Sequence, residues 1–422
     1  MDSFLSNNQD FPDIGTLQVN VFSQNNYNPI TNATVTIQNT IPQTNGTSEQ
    51  LSTDSSGQTE SISLRTPPLE YSLTPESSMP YSEYNITVSA PGYETTVLTG
   101  AQILPDVKAI QDIRLVPLPG TEETQEQDID IAPHTLYAEY PPKIPEAEIK
   151  PVSQTGEIVL SRVVVPEYIV VHDGSPRDST AQNYYVKYKD YIKNVASSEI
   201  YATWTPETIR ANVLAIMSFT LNRVYTEWYR NQGYDFTITS STAFDHKWIP
   251  ERNYYDTISV IVDELFASYL SRPNVRQPIL TQYCDGRRVS CPNWMTQWGS
   301  QSLGEQGYSA IEILRYFYGD NMYINTAEEI SGIPSSWPGY NLSQGSTGDK
   351  VRQMQEQLNV IAGAYPAIPR VAVDGIYGPG TAASVREFQS VFGLPVTGVT
   401  DYATWYKISE IYVGVSRIAE LV

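Results

Sequence analysis

The chain has 422 residues, which is too long for a single hydrophobic core and predicts about three domains. Its 26 Lys and Arg stand against 47 Asp and Glu, and residues 1–165 hold 6 of these cations and 21 of these anions. This acidity argues against nucleic acid as a partner, because no basic patch exists to release counterions from phosphates. No apolar run of 18 residues is present, and residues 1–8 lack the basic and apolar stretches of a secretory signal. We therefore expect neither a membrane span nor a signal peptide.

Residues 1–117 are predicted to form an all-β sandwich, because apolar and polar residues alternate in short stretches that turn signals separate. The buried positions are predicted to be Leu17, Val19, Val21, Val35, Ile37, Ile86 and Val88. The order Pro29–Val35, Thr53–Gly57 and Ser89–Tyr93 resembles carboxypeptidase regulatory-like modules. That resemblance implies a small Greek-key sandwich without catalytic groups. Two roles stay open for it, a spacer or a pro-region that covers an active site.

Residues 118–165 are predicted to be an acidic, proline-rich linker. An acidic run spans 122–130, and prolines at 133, 141, 142, 145 and 151 disfavour helix and sheet. Such a segment is expected to be extended, exposed and open to proteases, and a processing site is predicted within about residues 140–165. The alternative is a plain interdomain tether.

Residues 166–339 are predicted to be an α+β domain built around one carboxylate. Thr205 is a good N-cap and Pro206 fits the first position of the long helix that follows. Just upstream lies Glu199, with Val195, Ile200 and Trp204 as apolar neighbours. Apolar surroundings disfavour the charged form and raise the pKa of a carboxyl group, as a general acid requires. The ordinary alternative is a salt-bridged glutamate at a helix start.

Two motifs in this domain resemble signatures of the stage II sporulation protein D family. They are Glu199-Ile-Tyr201 with Thr203-Trp-Thr-Pro-Glu207, and Trp294-Met-Thr-Gln-Trp-Gly299. The resemblance implies a lytic transglycosylase of peptidoglycan with Glu199 as its catalytic acid and base. It also suggests Gln297 as a ligand of sugar amides and Trp204, Trp298 and Tyr201 as sugar contacts. The family's His-Gly before the second motif is replaced here by Pro292-Asn293.

Residues 340–422 are predicted to form a three-helix domain. Asp374-Gly-Ile-Tyr-Gly-Pro-Gly-Thr381 followed by Phe388-Gln389 resembles the hallmark of peptidoglycan-binding type 1 domains. The resemblance implies binding of wall polymer by Asp374, Gly375, Tyr377 and Gly378. The alternative is that these residues only form a turn and cap a helix.

Cys284 and Cys291 leave three possibilities open: a disulfide, two thiols or half of a zinc site. Some stage II D relatives hold zinc with cysteines and histidines in this loop, and His246 is the best third ligand. No local Cys-x-x-Cys or His-x-His pattern is present, so we favour a disulfide or thiols and expect no cofactor.

Together the segments resemble the SleC-type spore cortex-lytic enzymes of clostridia. The resemblance implies a multidomain lytic transglycosylase that degrades spore cortex peptidoglycan during germination, made in the mother cell as a precursor and activated by a subtilisin-like protease. The expected location is the cortex and coat region of the spore. The alternative function is a non-catalytic peptidoglycan-binding protein that recruits or stimulates an amidase.

Overall fold

The computed structural model describes residues 10–24, 27–40, 48–118, 126–150, 160, 162–331 and 337–416. The chain folds into two compact units. The first holds 1–67, 81–131 and 333–422, and the second holds 68–80 and 132–332. Among the described residues, no helix combines the length and the apolar character needed to cross a membrane.

The β part of the first unit has two sheets. Its strands are β1 (Asp13–Ser23), β2 (Thr34–Asn39), β3 (Ser48–Ser52), β4 (Ile62–Thr66), β5 (Ser82–Ser89), β6 (Thr95–Ile103), β7 (Lys108–Leu115) and β8 (Glu126–Asp130). In one sheet β1 pairs with antiparallel β4 and parallel β7, and the other has the order β3-β2-β5-β6-β8. Alternate residues of β1, β2 and β5 are fully buried, so the predicted alternation is confirmed.

Strand β8 lies within the predicted linker, and the prediction of a tether is wrong there. Residues 126–130 pair in parallel with 95–99 of β6. The acidic side chains of this edge strand are exposed, so their charge does not oppose main-chain pairing. The acidic composition that suggested a tether is therefore also compatible with an edge strand.

The last part of the first unit consists of three helices, as predicted. They are α7 (Asp349–Ala364), α8 (Pro379–Val391) and α9 (Tyr402–Ser416). Helical periodicity predicts that Leu358, Phe388 and Trp405 face inward, and each is at most 1% exposed. Trp337, which was assigned to the preceding domain, lies 6.0 Å from Trp405 between ring centroids and packs with these helices.

The helical and β parts of the first unit are in contact. The Tyr365 hydroxyl donates a 2.7 Å hydrogen bond to the Tyr27 carbonyl, and the Gln58 amide donates one of 2.7 Å to the Val391 carbonyl. Gly414 is needed here, because a Cβ atom at that position would lie 2.6 Å from the Tyr27 ring.

The second unit contains six helices among its described residues. They are α1 (Glu70–Leu73), α2 (Tyr188–Glu199), α3 (Pro206–Tyr225), α4 (Asp256–Leu265), α5 (Gln297–Glu305) and α6 (Ala310–Tyr318). Its strands are short: β9 (Val164–Val165), β10 (Tyr168–His172), β11 (Asn183–Lys187), β12 (Ile238–Thr239), β13 (Tyr254–Tyr255), β14 (Ser268–Ser271), β15 (Tyr283–Cys284), β16 (Met295–Thr296), β17 (Tyr323–Thr326) and β18 (Glu329–Ile330).

Helix α3 is the centre of this unit and begins as predicted, with Thr205 accepting from the Thr208 amide and Pro206 in the first position. It is buried along almost its whole length, so its buried residues lie on all its faces and not on a single apolar face. Gly304 of α5 lets that helix approach α3, because a Cβ atom there would lie 1.9 Å from the Thr208 hydroxyl.

The apolar periodicity of residues 255–270 predicts one amphipathic helix, and the helix in the structure is shorter. Helix α4 ends at Leu265, and residues 268–271 pair with β17 as an antiparallel strand. Apolar periodicity continues past the helix end because Tyr269 and Leu270 are buried in the strand as well. Ser309 with Glu312 predicts a capping box and Gly319 predicts a helix end, and both are confirmed for α6.

Residues 132–150, which we call the strap, also belonged to the predicted linker. They pack against the rest of the second unit without regular secondary structure, so the prediction of a free linker is wrong here, while eight of their nineteen residues are exposed as predicted. Prolines prevent a helix here but do not prevent packing. The strap is held by these hydrogen bonds: Thr135 N to Ser198 O (3.0 Å), Ile144 N to Ala243 O (2.6 Å), Leu280 N to Glu148 O (2.9 Å) and Lys150 N to Gln277 Oε1 (2.6 Å).

Two ion pairs reinforce the strap. Arg223 of α3 contacts Glu146 through both terminal nitrogens, at 3.0 and 2.6 Å. Arg272 contacts Glu148 through two nitrogens, both at 2.6 Å. Bidentate pairs of this geometry are among the stronger polar contacts of proteins. No local sequence pattern indicates these ion pairs, since the arginines lie far from the strap along the chain.

Candidate active site

Glu199 is the last residue of α2 and is 3% exposed. Each carboxylate oxygen has its own donor. The Lys247 backbone N–H donates to Oε1 at 2.7 Å, and the Tyr283 hydroxyl donates to Oε2. The Gln297 side-chain amide donates to the Glu199 carbonyl at 2.8 Å. Two separate segments therefore hold this carboxyl group, and a third holds the backbone of the same residue.

Burial raises the pKa of Glu199 above its ordinary value. The positive charge of Lys143, the Lys247 N–H and the Tyr283 hydroxyl act in the opposite direction, but burial is the largest effect. The neutral carboxylic acid is thus favoured, as the sequence predicted. A group in this state can donate a proton.

Glu199 lines a cavity of about 480 Å³. The strap forms one wall, from Thr135 to Lys143, and the segment from Tyr283 to Ser290 forms another. Gln297 also reaches this cavity. A cavity of this size with a few polar groups is typical of a site for a small molecule or a segment of a polymer.

Lys143 brings a cation from the strap to this cavity. Its ammonium group donates to the Asp245 carbonyl and lies 5.2 Å from the centroid of the Tyr283 ring, the ring whose hydroxyl binds Glu199. Burial lowers the pKa of Lys143, while the nearby Glu199 carboxylate acts against that shift. The strap thus adds a charge to the candidate site.

A buried network supports the loop that carries Lys247. Asp245 is fully buried and accepts from Arg223 Nε at 2.7 Å, from the Tyr229 hydroxyl at 2.6 Å and from the Thr239 amide at 2.9 Å. Because Asp245 lies two residues before Lys247, this network fixes the backbone that donates to Glu199.

Of the other predicted site residues, only Gln297 reaches the cavity. Tyr201, Trp204 and Trp298 are at most 8% exposed and pack against one another, with the two tryptophan rings 5.2 Å apart. The Trp204 indole donates to the Ser72 carbonyl at 2.9 Å. Their placement is that of a structural cluster beneath the site, and it argues against stacking on sugars.

Cys284 and Cys291 form a disulfide, with their Cα atoms 6.0 Å apart. They are therefore not available as thiolate ligands, and of the three possibilities that the sequence left open the structure has the disulfide, one of the two that we favoured. His246, its suggested partner, is buried and makes a 3.0 Å hydrogen bond through Nδ1 with the Tyr191 hydroxyl. No cluster of three His, Cys, Asp or Glu suited to a metal occurs in the described ranges, so the residues here do not fit zinc.

The predicted wall-binding motif of the helical domain forms a turn and a cap. Asp374 accepts from the Ile376 amide at 2.8 Å, Gly375 has a φ of 75°, and Gly378 precedes α8. The Tyr377 side chain is 1% exposed and donates to the Gly398 carbonyl at 3.0 Å. These contacts agree with the structural alternative and leave ligand binding by these residues a prediction.

Residues 347–408 match the family model described as a putative peptidoglycan binding domain. The chain is 43% identical over 77 residues to the Zinc D-Ala-D-Ala carboxypeptidase of Streptomyces albus G, and 40% identical over 68 residues to an uncharacterized protein encoded in the bpoA1 3' region of Kitasatospora aureofaciens. These matches cover 18% and 16% of this chain, and 28% and 53% of the relatives, so the chain spans well under two thirds of either.

Among solved structures, the SleB N-terminal domain is similar to 18% of this chain and is itself covered to 99%, at 28% identity and a TM-score of 0.16. Because that TM-score is low, we draw no functional conclusion from it. The family match shows that residues 347–408 are similar to domains described as putative peptidoglycan binding domains. It concerns the helical domain and not the Glu199 site.

Sequence reasoning missed three contributors to the Glu199 site. Tyr283 follows no motif that would mark it, and Lys247 acts through its backbone, which no side-chain pattern reveals. Lys143 was assigned to the linker. All three depend on contacts between segments distant in the chain.

Proposed function

We propose that this protein is a peptidoglycan lytic transglycosylase with Glu199 as its single acid and base. The observation that carries the proposal is a buried carboxyl group of raised pKa that faces an open cavity and is held by two donors. The same chain holds a domain similar to peptidoglycan-binding domains, which would bring the Glu199 site close to peptidoglycan. The residue-level resemblance to stage II D proteins supports the same reaction class.

In the proposed reaction, neutral Glu199 donates its proton to the glycosidic oxygen between N-acetylmuramic acid and N-acetylglucosamine. The bond between that oxygen and the muramyl C1 breaks. The Glu199 carboxylate then takes the proton of the muramyl C6 hydroxyl, whose oxygen bonds to C1 and closes a 1,6-anhydro ring. Glu199 ends the cycle protonated, so no water is consumed and no second catalytic carboxylate is required.

The uncut chain is proposed to be a precursor that acts on spore cortex during germination. A subtilisin-like protease would activate it, and synthesis in the mother cell would place it at the cortex. The strap's hydrogen bonds and ion pairs hold residues 132–150 to the rest of the second unit, so we propose a cut after Lys150 and before about Val163, where residues 151–159 and 161 lie outside the described residues. This region is narrower than the one that sequence alone suggested.

The test is mass spectrometry of cortex and vegetative peptidoglycan digested by the cut protein. We expect 1,6-anhydro-muramyl ends from the parent chain and none from Glu199→Gln, which keeps the size of the side chain and removes only its titrating group. The matched control is Glu264→Gln, a surface carboxylate paired with Arg210, which should cleave like the parent.

Each other product contradicts a stated part of the proposal. New reducing ends would mean hydrolysis by an activated water. No new ends, combined with stimulation of an added amidase, would favour the accessory wall-binding role. Full turnover by folded Glu199→Gln would remove Glu199 from catalysis.

A further inference from the structure

A second cavity of about 600 Å³ lies in the same unit, further along the strap. Residues 135–143 of the strap line the Glu199 cavity, and residues from Ile144 to Lys150 line the second one. Because these residues are consecutive, the strap is a wall that the two cavities share. The two cavities are therefore neighbours along a single extended stretch of chain.

Aromatic side chains that pack on a buried cluster line part of the second cavity. Trp228 and Tyr234 line it and pack against a buried cluster of Val170, Tyr229 and Phe236. The Trp228 ring is partly exposed, and the Lys150 ammonium of the strap lies 3.9 Å from its centroid. An aromatic face that the strap covers in this way becomes available when the strap leaves.

Exposed polar groups border this cavity. Ser175 and Gln232 line it together with Arg177, whose guanidinium can bind a carboxylate. Sugar rings combine an apolar face with polar edges, and a rigid aromatic side chain beside polar groups suits both. The lactyl group of a muramyl residue that has lost its peptide supplies a carboxylate for Arg177.

On the basis of the proposed function, we propose that the two cavities are subsites of one glycan-binding groove, which the strap partly covers in the uncut chain. The Glu199 cavity receives the bond to be cleaved. The Trp228 cavity receives a sugar further along the same strand of alternating N-acetylglucosamine and N-acetylmuramic acid. The strap and the glycan thus compete for one extended surface.

When the strap leaves, the most buried cation of the second unit still has an ion-pair partner. Arg223 is 1% exposed and pairs with Glu146 of the strap, but it also pairs with Asp245 at 2.7 Å. Arg272, which pairs with Glu148, is partly solvated. Because Asp245 is not part of the strap, Arg223 keeps this partner when the strap leaves. Only the loss of every partner would leave a buried charge uncompensated, which is the costly case.

The experiment uses the full chain with Glu199→Gln, which prevents turnover, and with a specific protease recognition sequence placed within residues 151–159. Soluble peptidoglycan glycan strands without peptides are the probe, and calorimetry measures their affinity before and after the cut. We expect the cut chain to bind at least about tenfold more tightly, equivalent to roughly 1.4 kcal/mol. The helical domain is present in both samples, so its own binding cancels. Equal affinities would overturn the proposal.

Two variants locate the second subsite. Trp228→Ala removes the aromatic face and should weaken glycan binding by the cut chain about tenfold, while leaving the uncut chain unchanged. Tyr185→Ala is the matched control, because that tyrosine is 75% exposed on β11 and lines neither cavity. Since Trp228 packs on a buried cluster and its loss can affect folding, Ser175→Trp, which fills the cavity from its exposed rim, should give the same loss.

Failure of this inference is distinguishable from failure of the proposed function. One outcome separates the two proposals in favour of the groove. If the cut chain binds glycan tightly and loses that binding with Ser175→Trp, yet a chain with native Glu199 forms no new glycan ends, the glycan-binding groove is supported and the lytic transglycosylase activity is refuted. If new ends form but Trp228→Ala and Ser175→Trp both bind glycan like the parent, the second subsite is refuted.

Discussion

The hydrogen bond from Tyr283 to Glu199 offers a direct measure of how the site controls this carboxyl group. Tyr283→Phe removes only the hydroxyl and leaves the ring, whose size and packing stay unchanged. Glu199 then keeps the Lys247 N–H as its remaining hydrogen-bond donor to the carboxylate described here. Because the lost donor favours the charged form, the pKa of Glu199 should rise further in the variant.

The size of the effect on stability depends on the charge of Glu199. A hydrogen bond to a charged group contributes about 1.5–3 kcal/mol, and one between neutral groups about 0.5–1.5 kcal/mol. The pKa of Glu199 is raised in the folded protein, so its own contribution to stability is present below the unfolded pKa and is lost as the pH rises through the folded value. The destabilisation by Tyr283→Phe should therefore grow with pH, from about 1 kcal/mol in acid to about 2 kcal/mol or more in alkali.

Urea unfolding of the full chain at about pH 4 and about pH 9 tests this, followed by tryptophan fluorescence, with both values chosen on either side of a raised carboxyl pKa. The fluorescence reports mainly on the second unit, which holds Trp204, Trp228, Trp248, Trp294 and Trp298. Tyr318→Phe is the control, because that buried hydroxyl donates to the Gln282 carbonyl at 3.0 Å and does not contact Glu199. Its cost should not change with pH.

Two results would refute the reasoning. A loss of stability in Tyr283→Phe that is equal at both pH values would show that the hydroxyl does not distinguish the two charge states of Glu199. A loss with the same pH dependence in Tyr318→Phe would assign the effect to buried tyrosines in general.

Three further predictions concern larger parts of the chain. Deleting residues 333–422 should reduce co-sedimentation with insoluble peptidoglycan several-fold and leave the second unit folded, and unchanged binding would show that this domain is not the anchor. Asp245→Asn should lower the unfolding free energy by about 1–3 kcal/mol in urea, because it weakens the hydrogen bonds of a buried carboxylate while Arg223 keeps Glu146 as a partner, whereas exposed Asp178→Asn should change it little. Cutting the full chain within residues 151–161 should speed glycan release from cortex, and equal rates before and after the cut would leave the β domain as a spacer.

Local patterns predicted the elements that local physics decides. The N-cap at Thr205, the capping box at Ser309 and the alternation in β1 depend on residues close together in sequence, and the structure confirms them. The strand at 268–271 was predicted as helix because its apolar residues continue the period of α4. Only its pairing with β17, more than fifty residues away, decides in favour of a strand.

The candidate site shows the same difference between residues that local patterns predict and residues that only long-range contacts bring together. A carboxyl group with a raised pKa at Glu199 followed from its apolar neighbours in sequence, and Gln297 followed from a motif. The aromatic residues of those motifs are buried against each other. A motif contains residues that stabilise a site as well as residues that contact its ligand, and the pattern alone does not distinguish the two. The donors Tyr283 and Lys247 come from segments 84 and 48 positions away, which no spacing rule connects to Glu199.

The strap gives the composition of residues 118–165 a different meaning from the one that sequence alone suggested. Glu146 and Glu148 were counted as the charge of a solvated tether, yet each forms a bidentate pair with an arginine of the second unit. Lys143, one of few cations in the acidic third of the chain, lies beside Glu199 and opposes the effect of burial on the pKa of that group. If the strap leaves after a cut, Lys143 leaves with it and no longer lowers the pKa of Glu199, but Glu199 also becomes more exposed, which weakens the burial that raises this pKa most. One event would therefore open the groove and change both of the opposing effects that set the pKa of this acid, so the strap influences the chemistry of the site as well as access to it.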